Sequence, residues 1–370
     1  MKIIQLIDPS ITPEQLYEAL TVGRALKSRG HDVRLFHRLD EDVLAPFKEA
    51  GFTTTRCRLG GAFDFISPVV VSRVIDSDDR VVLQVFTPGV LTCAARVRRL
   101  APEGARVRIV YHAGRTMPQF TTPAKERLAA EPDLYVVPFS ETSHRIAGAY
   151  PAIPSGRIAV VAPMLERQSP LPSPTSREDE NSATTSESAP LTLLFYGHII
   201  PSKGLDRLLN ALEGFTPSDL RLIVIGTGEG RHVMPMLRRV RANGVNDLIE
   251  WAGDARRPSD LVSRADIAVF PAIGECDDYR PMLTAMSHGL PVIASALSSA
   301  LHIFKDSDRY LEVDPDNAVQ FNEAIRRVIS DPVLRQRLSE SSLSCYSDFI
   351  SGTDITARLE SLYFSLLTSA

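Results

Sequence analysis

The pair Lys203-Gly204 is the clearest candidate for chemistry in this chain, since it separates an apolar run from a helical pattern. The run LLFYGHII, from Leu193, predicts a buried strand, and LDRLLNALEG predicts a helix. In an open parallel sheet such a turn lies at the carboxyl end of its strand, where helix N-termini attract anions. We predict that the pair lies at the start of this helix, and a lysine in a helix's first turn, near the positive end of the dipole, is unfavourable unless an anion binds there. We therefore predict that Lys203 contacts a phosphate; the alternative is an ordinary surface lysine.

The pattern of apolar strand, small-residue turn and amphipathic helix recurs in both halves of the chain. In the second half the strands are predicted in LRLIVIG, IEWAG, IAVFPA and GLPVIAS. In the first half they are predicted in KIIQLID, HDVRLFHR, Val81–Phe86, Val107–His112, Leu134–Val137 and IAVVAP. Thr12-Pro13 predicts a helix start and Gly30 its end. This alternation predicts an α/β fold class with two Rossmann-like, parallel-sheet domains.

A composition change divides the two halves. Residues 166–190 are rich in Ser, Thr, Pro and acidic side chains with almost nothing to bury, which predicts a disordered linker. We expect an N-terminal domain over 1–165 and a C-terminal domain over 191–350. Residues 351–370 carry apolar side chains at helical spacing, and we expect this helix to pack back on the N-terminal domain.

Length, charge and cysteine content limit the function classes. The 370 residues suffice for two domains, and a net charge of -4 argues against a generic nucleic-acid binder. The four cysteines lie far apart without metal-ligand spacing, so we expect reduced thiols and no metal site. Three DxD-like triplets sit in polar stretches and read as turns. With no signal peptide or membrane-spanning run, we expect a cytoplasmic protein.

The ordered blocks of the second half resemble the retaining glycosyltransferases of the GT-B fold, family 4 (glycosyl transferases group 1). The resemblance is carried by Gly197-His198, Lys203-Gly204, Ile225-Gly226, Gly253, Pro271, Glu275, Ala285-Met286, Gly289 and Pro291-Val292. It implies two domains facing a cleft, with a nucleotide-sugar donor on the C-terminal domain and the acceptor on the N-terminal one. It further implies retention of anomeric configuration without a metal or any other cofactor.

The resemblance also assigns roles to particular residues. The implied catalytic residues are His112, Lys203 and Glu275, with Lys203 stabilising the leaving diphosphate. The implied donor-binding residues are Gly197, His198, Lys203, Gly226, Glu275, Arg280 and Thr284. For His112 the alternative is a buried histidine bonded to its surroundings, and for Arg280 it is an exposed loop arginine.

Some positions depart from the family pattern. His198 stands where the family has an arginine, and Thr284 stands where it has a carboxylate for the ribose hydroxyls. The N-terminal glycine pair is absent, and ITPEQ from Ile11 occupies that loop. A neutral hydrogen bond contributes about 1 kcal/mol against roughly 1.5–3 for a charge-assisted one, so a weaker or altered donor site is expected.

Two classes of function follow. The first is a glycosyltransferase using a nucleotide-diphosphate sugar and an unidentified acceptor, which is a glycan, a lipid carrier or a small molecule. The second is a catalytically degenerate GT-B protein that serves as a binding subunit of a partner enzyme; a sugar-nucleotide epimerase is a weaker third. A basic cluster offers peripheral contact with the inner face of the membrane, unless it is a solvated helix face. Its members are Arg96, Arg98, Arg99, Arg106 and Arg108.

Overall fold

The computed structural model describes residues 1–113, 128–138, 140–162, 164, 190–253, 258–273, 280–295, 309–351 and 355–369. The chain forms two compact units. The first unit comprises Met1–Glu166 and Thr353–Ala370, and the second comprises Arg167–Gly352. Nearly all of the expected linker 166–190 lies outside the described residues.

The first unit is built on a seven-stranded parallel sheet with the order β3-β2-β1-β4-β5-β6-β7. Its strands are β1 (Lys2–Ile7), β2 (Asp32–His37), β3 (Thr53–Arg56), β4 (Arg80–Val85), β5 (Arg106–His112), β6 (Leu134–Val137) and β7 (Ile158–Val160). Its helices are α1 (Pro13–Ser28), α2 (Glu41–Glu49), α3 (Ile66–Ser72), α4 (Leu91–Leu100) and α5 (Ser140–Ala149).

The start of α1 follows the predicted signal. Thr12 is the N-cap, and its hydroxyl accepts from the backbone N–H of Gln15 while the Gln15 side chain accepts from the N–H of Thr12. This reciprocal capping box satisfies two of the N–H groups that a helix start leaves unpaired. After the helix, Gly30 has φ 87, which glycine adopts without strain.

The second unit is built on a six-stranded parallel sheet with the order β10-β9-β8-β11-β12-β13. Its strands are β8 (Leu191–Tyr196), β9 (Leu220–Ile225), β10 (Ile249–Gly253), β11 (Ile267–Phe270), β12 (Val292–Ser295) and β13 (Leu311–Val313). Its helices are α6 (Leu205–Ala211), α7 (Gly230–Ala242), α8 (Pro258–Val262), α9 (Arg280–Ser287), α10 (Ala318–Ser330) and α11 (Pro332–Ser351). The predicted α/β class with two parallel Rossmann-like sheets is confirmed.

The last helix, α12 (Ile355–Thr368), packs on the sheet of the first unit. Its apolar face buries Leu359, Tyr363 and Leu367 against the β-strand core. Its final carbonyl groups accept from two arginines of β5: Arg106 donates to Leu367 O, and Arg108 donates to the carbonyls of Leu366 and Ser369. Cations at a helix C-terminus satisfy its unpaired carbonyls and favour its dipole.

These contacts divide the predicted basic cluster. Besides the two arginines that cap α12, Arg98 pairs with Glu131 and Asp133, and Arg99 pairs with Glu131. Neither a continuous basic patch nor a fully solvated helix face describes the five arginines. Sequence proximity alone does not reveal this, because the partners lie 30 or more residues away.

Two strands were not predicted. β3 has the sequence TTTR, and β13 is only three residues long. Both lie at the edge of their sheet. Edge strands are short and bury little, so they lack the apolar run that marks a central strand.

Other sequence expectations concern thiols, metals and membranes. Cys57, Cys93 and Cys345 are free and buried, and burial raises the pKa of the Cys93 thiol to about 12. Within the described ranges, no group of three or more His, Cys, Asp or Glu side chains is placed to hold a metal ion. Across those same ranges, no helix is long and apolar enough to cross a membrane.

Candidate functional site

The second unit has a switch point between β8 and β11, where the strand order reverses. In open parallel sheets, ligands bind outside the carboxyl ends of the strands at this point. The loop after β8 carries Gly197, His198 and Lys203, and the loop after β11 begins at Pro271. Gly197, His198 and Lys203, three of the predicted donor residues, therefore lie at the switch point of the second sheet.

The Lys203 turn differs from the sequence prediction in one respect. Residues Pro201–Lys203 form a single 3₁₀ turn, and α6 begins only at Leu205, after Gly204 in the left-handed region with φ 71. Lys203 therefore precedes the helix instead of occupying its first turn. The aliphatic part of the Lys203 side chain lies close to Gly197, directly after β8: a Cβ built on Gly197 would be 4.0 Å from Lys203 Cδ.

Gly204 joins this turn to the end of β11. A Cβ at position 204 would lie 1.7 Å from the carbonyl oxygen of Pro271, a distance that no side chain can occupy. The adjacent hydrogen bond from Ile273 N–H to Ser202 O, at 3.0 Å, fixes the same approach. Only glycine satisfies both the positive φ and the contact. The turn is thus held across the switch point by contacts between backbone atoms.

Gly226 allows a similar close approach of the backbone between the ends of β8 and β9. A Cβ there would lie 1.9 Å from Gly197 O, and its φ is 144. The N–H of Gly197 donates to Ile225 O at 3.0 Å, and the N–H of Gly226 donates to Gly253 O at 2.8 Å. The structure therefore brings Gly197, Lys203 and Gly226 together at one edge of the sheet.

The remaining predicted donor residues are His198, Arg280, Thr284 and Glu275. His198 is exposed beside Gly197. Arg280 is the first residue of α9, and Thr284 lies about one turn later, half-buried. The Thr284 carbonyl accepts from Ser287 Oγ at 2.7 Å, while Glu275 falls outside the described residues. The roles of these four side chains stay predictions.

His112, at the end of β5, is fully buried in the first unit. Its Nδ1 lies 2.9 Å from Glu18 Oε1, and its Nε2 lies 3.0 Å from the hydroxyl of Tyr363. Gln84 donates to that hydroxyl at 2.8 Å, so the tyrosine proton is available to Nε2. Both ring nitrogens of His112 therefore have a hydrogen-bonding partner, Glu18 at Nδ1 and Tyr363 at Nε2.

Burial raises the pKa of Tyr363, which keeps its hydroxyl protonated in this network. Because both ring nitrogens of His112 have partners inside the first unit, the arrangement favours the alternative of a structural histidine. Its catalytic role stays a prediction. Sequence analysis did not indicate the network, because Tyr363 is 251 residues away from His112.

The first unit has its own switch point, between β1 and β4, and Asp8 lies there. Asp8 Oδ1 accepts from the N–H and hydroxyl of Ser10 and, at 2.8 Å, from the hydroxyl of Thr87. A Cβ on Gly89 would lie 2.2 Å from Asp8 Oδ2. Sequence analysis included Asp8 in the first strand without assigning it a role. An acidic residue directly after a buried strand was the available signal.

Residues 176–343 match the family profile described as "Glycosyl transferases group 1". This segment is similar to the group 1 glycosyltransferases. The group 1 segment contains the whole described edge of Gly197, Lys203 and Gly226, and the resemblance seen in the sequence is confirmed.

Two relatives match parts of the chain. A phosphatidyl-myo-inositol mannosyltransferase of Mycobacterium leprae is 29% identical over 152 residues, which are 40% of this chain and 39% of that protein. A D-inositol 3-phosphate glycosyltransferase of Corynebacterium glutamicum is 28% identical over 251 residues, which are 65% of this chain and 59% of that protein. The chain thus spans about two fifths to three fifths of the length of these relatives.

Solved structures match over nearly the whole chain. The Anabaena protein Alr3699/HepE, in complex with UDP, has a TM-score of 0.79 at 14% identity, covering 99% of this chain and 100% of that one. A glycosyltransferase from Rickettsia africae has a TM-score of 0.79 at 12% identity, covering 100% and 99%. At these identities the likeness identifies the fold, which is GT-B.

Proposed function

We propose that this protein is a glycosyltransferase that transfers a sugar from a nucleoside diphosphate donor to an acceptor hydroxyl. The observation that carries the proposal is the backbone-built edge of the second unit, where Gly204 and Gly226 hold the Lys203 turn against the ends of β8 and β11. The group 1 match over residues 176–343 supports the same reading. Retention of configuration and independence from metals and cofactors belong to the proposal.

In this proposal the donor diphosphate lies against the loop from Gly197 to Gly204. Lys203 places a cation beside the leaving phosphate, where it stabilises the negative charge that develops as the glycosidic bond breaks. Glycines at 197 and 226 leave room for the diphosphate to approach the backbone. Arg280, the first residue of α9, and Glu275, which the family resemblance implies, contribute to the same donor site in this proposal.

The relatives suggest where to begin a search for substrates. The Anabaena protein was solved with UDP, so UDP-sugars come first among donors. The names of the two bacterial relatives contain inositol, so inositol phosphates come first among acceptors. We place the reaction in the cytoplasm, where nucleotide sugars are the donors.

The test is a donor panel scored by product formation. Wild type and Lys203→Ala are incubated with each nucleotide sugar, with and without acceptor, and free nucleoside diphosphate is measured. We expect slow donor hydrolysis that one acceptor accelerates, and that Lys203→Ala lowers by about 10–100-fold, the value of one charge-assisted contact. Lys48→Ala, an exposed lysine of the first unit, is the matched control and should retain full activity.

A second candidate is a catalytically degenerate GT-B protein that binds a partner transferase. The burial of His112, with both ring nitrogens paired, favours it, because the family resemblance implies a histidine beside the reacting sugar. Thr284→Glu separates the two candidates. If the site is degenerate, the restored carboxylate strengthens donor binding, whereas in a site adapted to threonine it weakens both binding and turnover.

A further inference from the structure

An unusually exposed apolar group lies in the loop that follows β3. Phe63 has 91% of its surface exposed, Phe65 65% and Ile66 62%. Val69 and Leu100 are exposed nearby, on α3 and α4, two helices that pack against each other. Contiguous exposed apolar groups of this kind mark interaction sites, because exposing them to water is unfavourable. We call Phe63, Phe65 and Ile66 the aromatic loop.

This loop is held rigidly rather than left free to collapse. The Asp64 carboxylate accepts from the backbone N–H groups of Gly60, Ile66 and Ser67 and from the Ser67 hydroxyl, at 2.5 to 3.1 Å. Leu59 has φ 44, a strained value for a branched side chain, and its N–H donates to Ser67 Oγ. Backbone strain that is compensated by several hydrogen bonds indicates that the conformation of this loop serves a function.

The charges around the aromatic loop are positive. The Arg96 guanidinium stacks on the Phe65 ring, 4.5 Å from its centroid, and donates to Asp64 O. Arg99 lines a shallow depression with Phe65 and has an exposed side chain, part of which pairs with Glu131. Residues 56–73 contain three arginines, all exposed, and one acidic residue, Asp64, which is buried.

We infer that the aromatic loop docks the first unit on an anionic lipid surface. Aromatic and aliphatic tips bordered by arginines suit the membrane interface, where rings sit at headgroup level and cations meet lipid phosphates. The Phe63 tip protrudes, and a lipid layer accommodates a protruding ring without needing a complementary pocket. This surface replaces the predicted basic cluster, whose members Arg98, Arg106 and Arg108 bind groups within the first unit. The inference does not depend on transferase activity.

The experiment uses the single tryptophan of the chain, Trp251, which lies in the second unit. Replacing it by phenylalanine and making Phe63→Trp gives a fluorescent reporter at the loop tip. Vesicles of phosphatidylcholine, alone or mixed with phosphatidylglycerol, are titrated in without donor or acceptor. We expect a blue shift of emission with the anionic vesicles, weaker with the neutral ones and reduced by salt.

Co-sedimentation of the otherwise native chain with the same vesicles provides the second measurement. Phe63→Ser and Phe65→Ser are each expected to weaken binding to anionic vesicles by about tenfold, in proportion to the apolar area removed. The matched control is Val333→Ser, whose side chain is 80% exposed in the second unit, and it should bind as wild type does.

Three outcomes would overturn the inference. One is equal binding by the loop variants and the Val333→Ser control; another is an unchanged emission spectrum for the Phe63→Trp reporter. The third is a dimer in sedimentation velocity that Phe63→Ser abolishes, which would assign the loop to a second copy of the chain. Since no sugar donor is present, none of these results bears on the proposed transferase function.

Discussion

Loops at the carboxyl ends of the two sheets are held in place by different groups. In the first unit, the loops after β1 and β3 are pinned by the carboxylates of Asp8 and Asp64. In the second unit, the loops after β8 and β9 are pinned by backbone contacts at Gly204 and Gly226. The topology around the two switch points is the same: β1 lies beside β4 in the first sheet, and β8 lies beside β11 in the second. The difference therefore lies in the groups that hold the loops and not in the topology.

This difference has consequences for function and stability. A loop pinned by a carboxylate responds to pH and to single side-chain changes, because the pinning atoms are at the end of a side chain. A loop pinned by glycine backbone does not titrate, and its packed backbone leaves a bare surface for an anionic ligand. The edge to which we assign the diphosphate is therefore the one whose loop positions do not depend on the protonation of a carboxylate.

The largest expected effect comes from Gly204→Ala. The new Cβ would meet Pro271 O at 1.7 Å and also force alanine to adopt φ 71, so the Lys203 turn must move. We expect a loss of about 4 kcal/mol in the stability of the second unit, from left-handed strain plus overpacking. Urea unfolding followed by Trp251 fluorescence measures it.

Gly244→Ala is the matched control for that change. Gly244 also has a left-handed φ of 67, but a Cβ there meets nothing within 4 Å. The Gly244→Ala variant should therefore lose only about 1–2 kcal/mol of stability, because it has the backbone strain but not the steric clash. If the two variants lose equal stability, the contact with Pro271 does not hold the turn.

In the first unit, Gly89→Ala is expected to lower the stability by less, about 2–3 kcal/mol, and a second substitution at Asp8 should remove most of this loss. Its Cβ would meet Asp8 Oδ2 at 2.2 Å, which is a side-chain atom. In an Asp8→Ala background, Gly89→Ala should add less than about 0.5 kcal/mol, a coupling that a double-mutant cycle detects. Hydrogen exchange of the β1 and β4 amides reports the stability of this unit. Additive losses would show that the carboxylate does not pin the loop.

The stability of the first unit should depend on pH through Asp64. Burial of this carboxylate would raise its pKa, but hydrogen bonds from Ser67, Gly60 and Ile66 prevail and lower it to about 2. A depressed pKa stabilises the fold above the unfolded value near 3.8, by about 2 kcal/mol, and this contribution is lost as pH falls toward 2. At pH 5, Asp64→Asn should be less stable by about that amount, with the gap closing on acidification.

Urea unfolding followed by near-ultraviolet circular dichroism, from pH 5 downward, measures that gap. Asp78→Asn, an exposed aspartate of the same unit, is the control and should follow wild type throughout. A gap between Asp64→Asn and wild type that stays constant with pH contradicts the assignment.

The smallest expected effect is that of Tyr363→Phe, which removes the hydroxyl joining Gln84 and His112. Loss of one buried hydroxyl that serves two partners should lower the stability of the first unit by about 1–2 kcal/mol. Hydrogen exchange of β5 amides checks it. Tyr310→Phe, whose hydroxyl donates to Glu312 in the second unit, should leave β5 exchange unchanged.

Central strands and helix caps could be predicted from sequence because their signals are local. The Thr12 cap and the apolar runs of β1 and β9 needed no long-range information. The edge strands β3 and β13 were missed because β3 is polar and β13 has only three residues, so neither carries a periodic signal. Lys203 was predicted in the correct loop, but the left-handed Gly204 that ends its turn before the helix was not foreseen.

The groups that hold the loops were harder to predict, because their partners are distant in sequence. Asp8 meets Thr87 across the switch point, and His112 meets Tyr363 on the last helix. A single sequence contains no record of such pairings. Gly204 and Gly226 were recognisable as turn residues, but the carbonyl oxygens against which they pack became apparent only in the fold.

The measurement that tests the central claim most directly is a calorimetric titration of UDP into wild type, Lys203→Ala and Lys48→Ala. If the Lys203 edge binds a nucleoside diphosphate, wild type and Lys48→Ala will bind with equal affinity. Lys203→Ala will then bind about 10–100-fold more weakly, as expected for the loss of one charge-assisted hydrogen bond. Equal affinity of all three proteins would contradict the claim, because it would place the nucleotide away from Lys203.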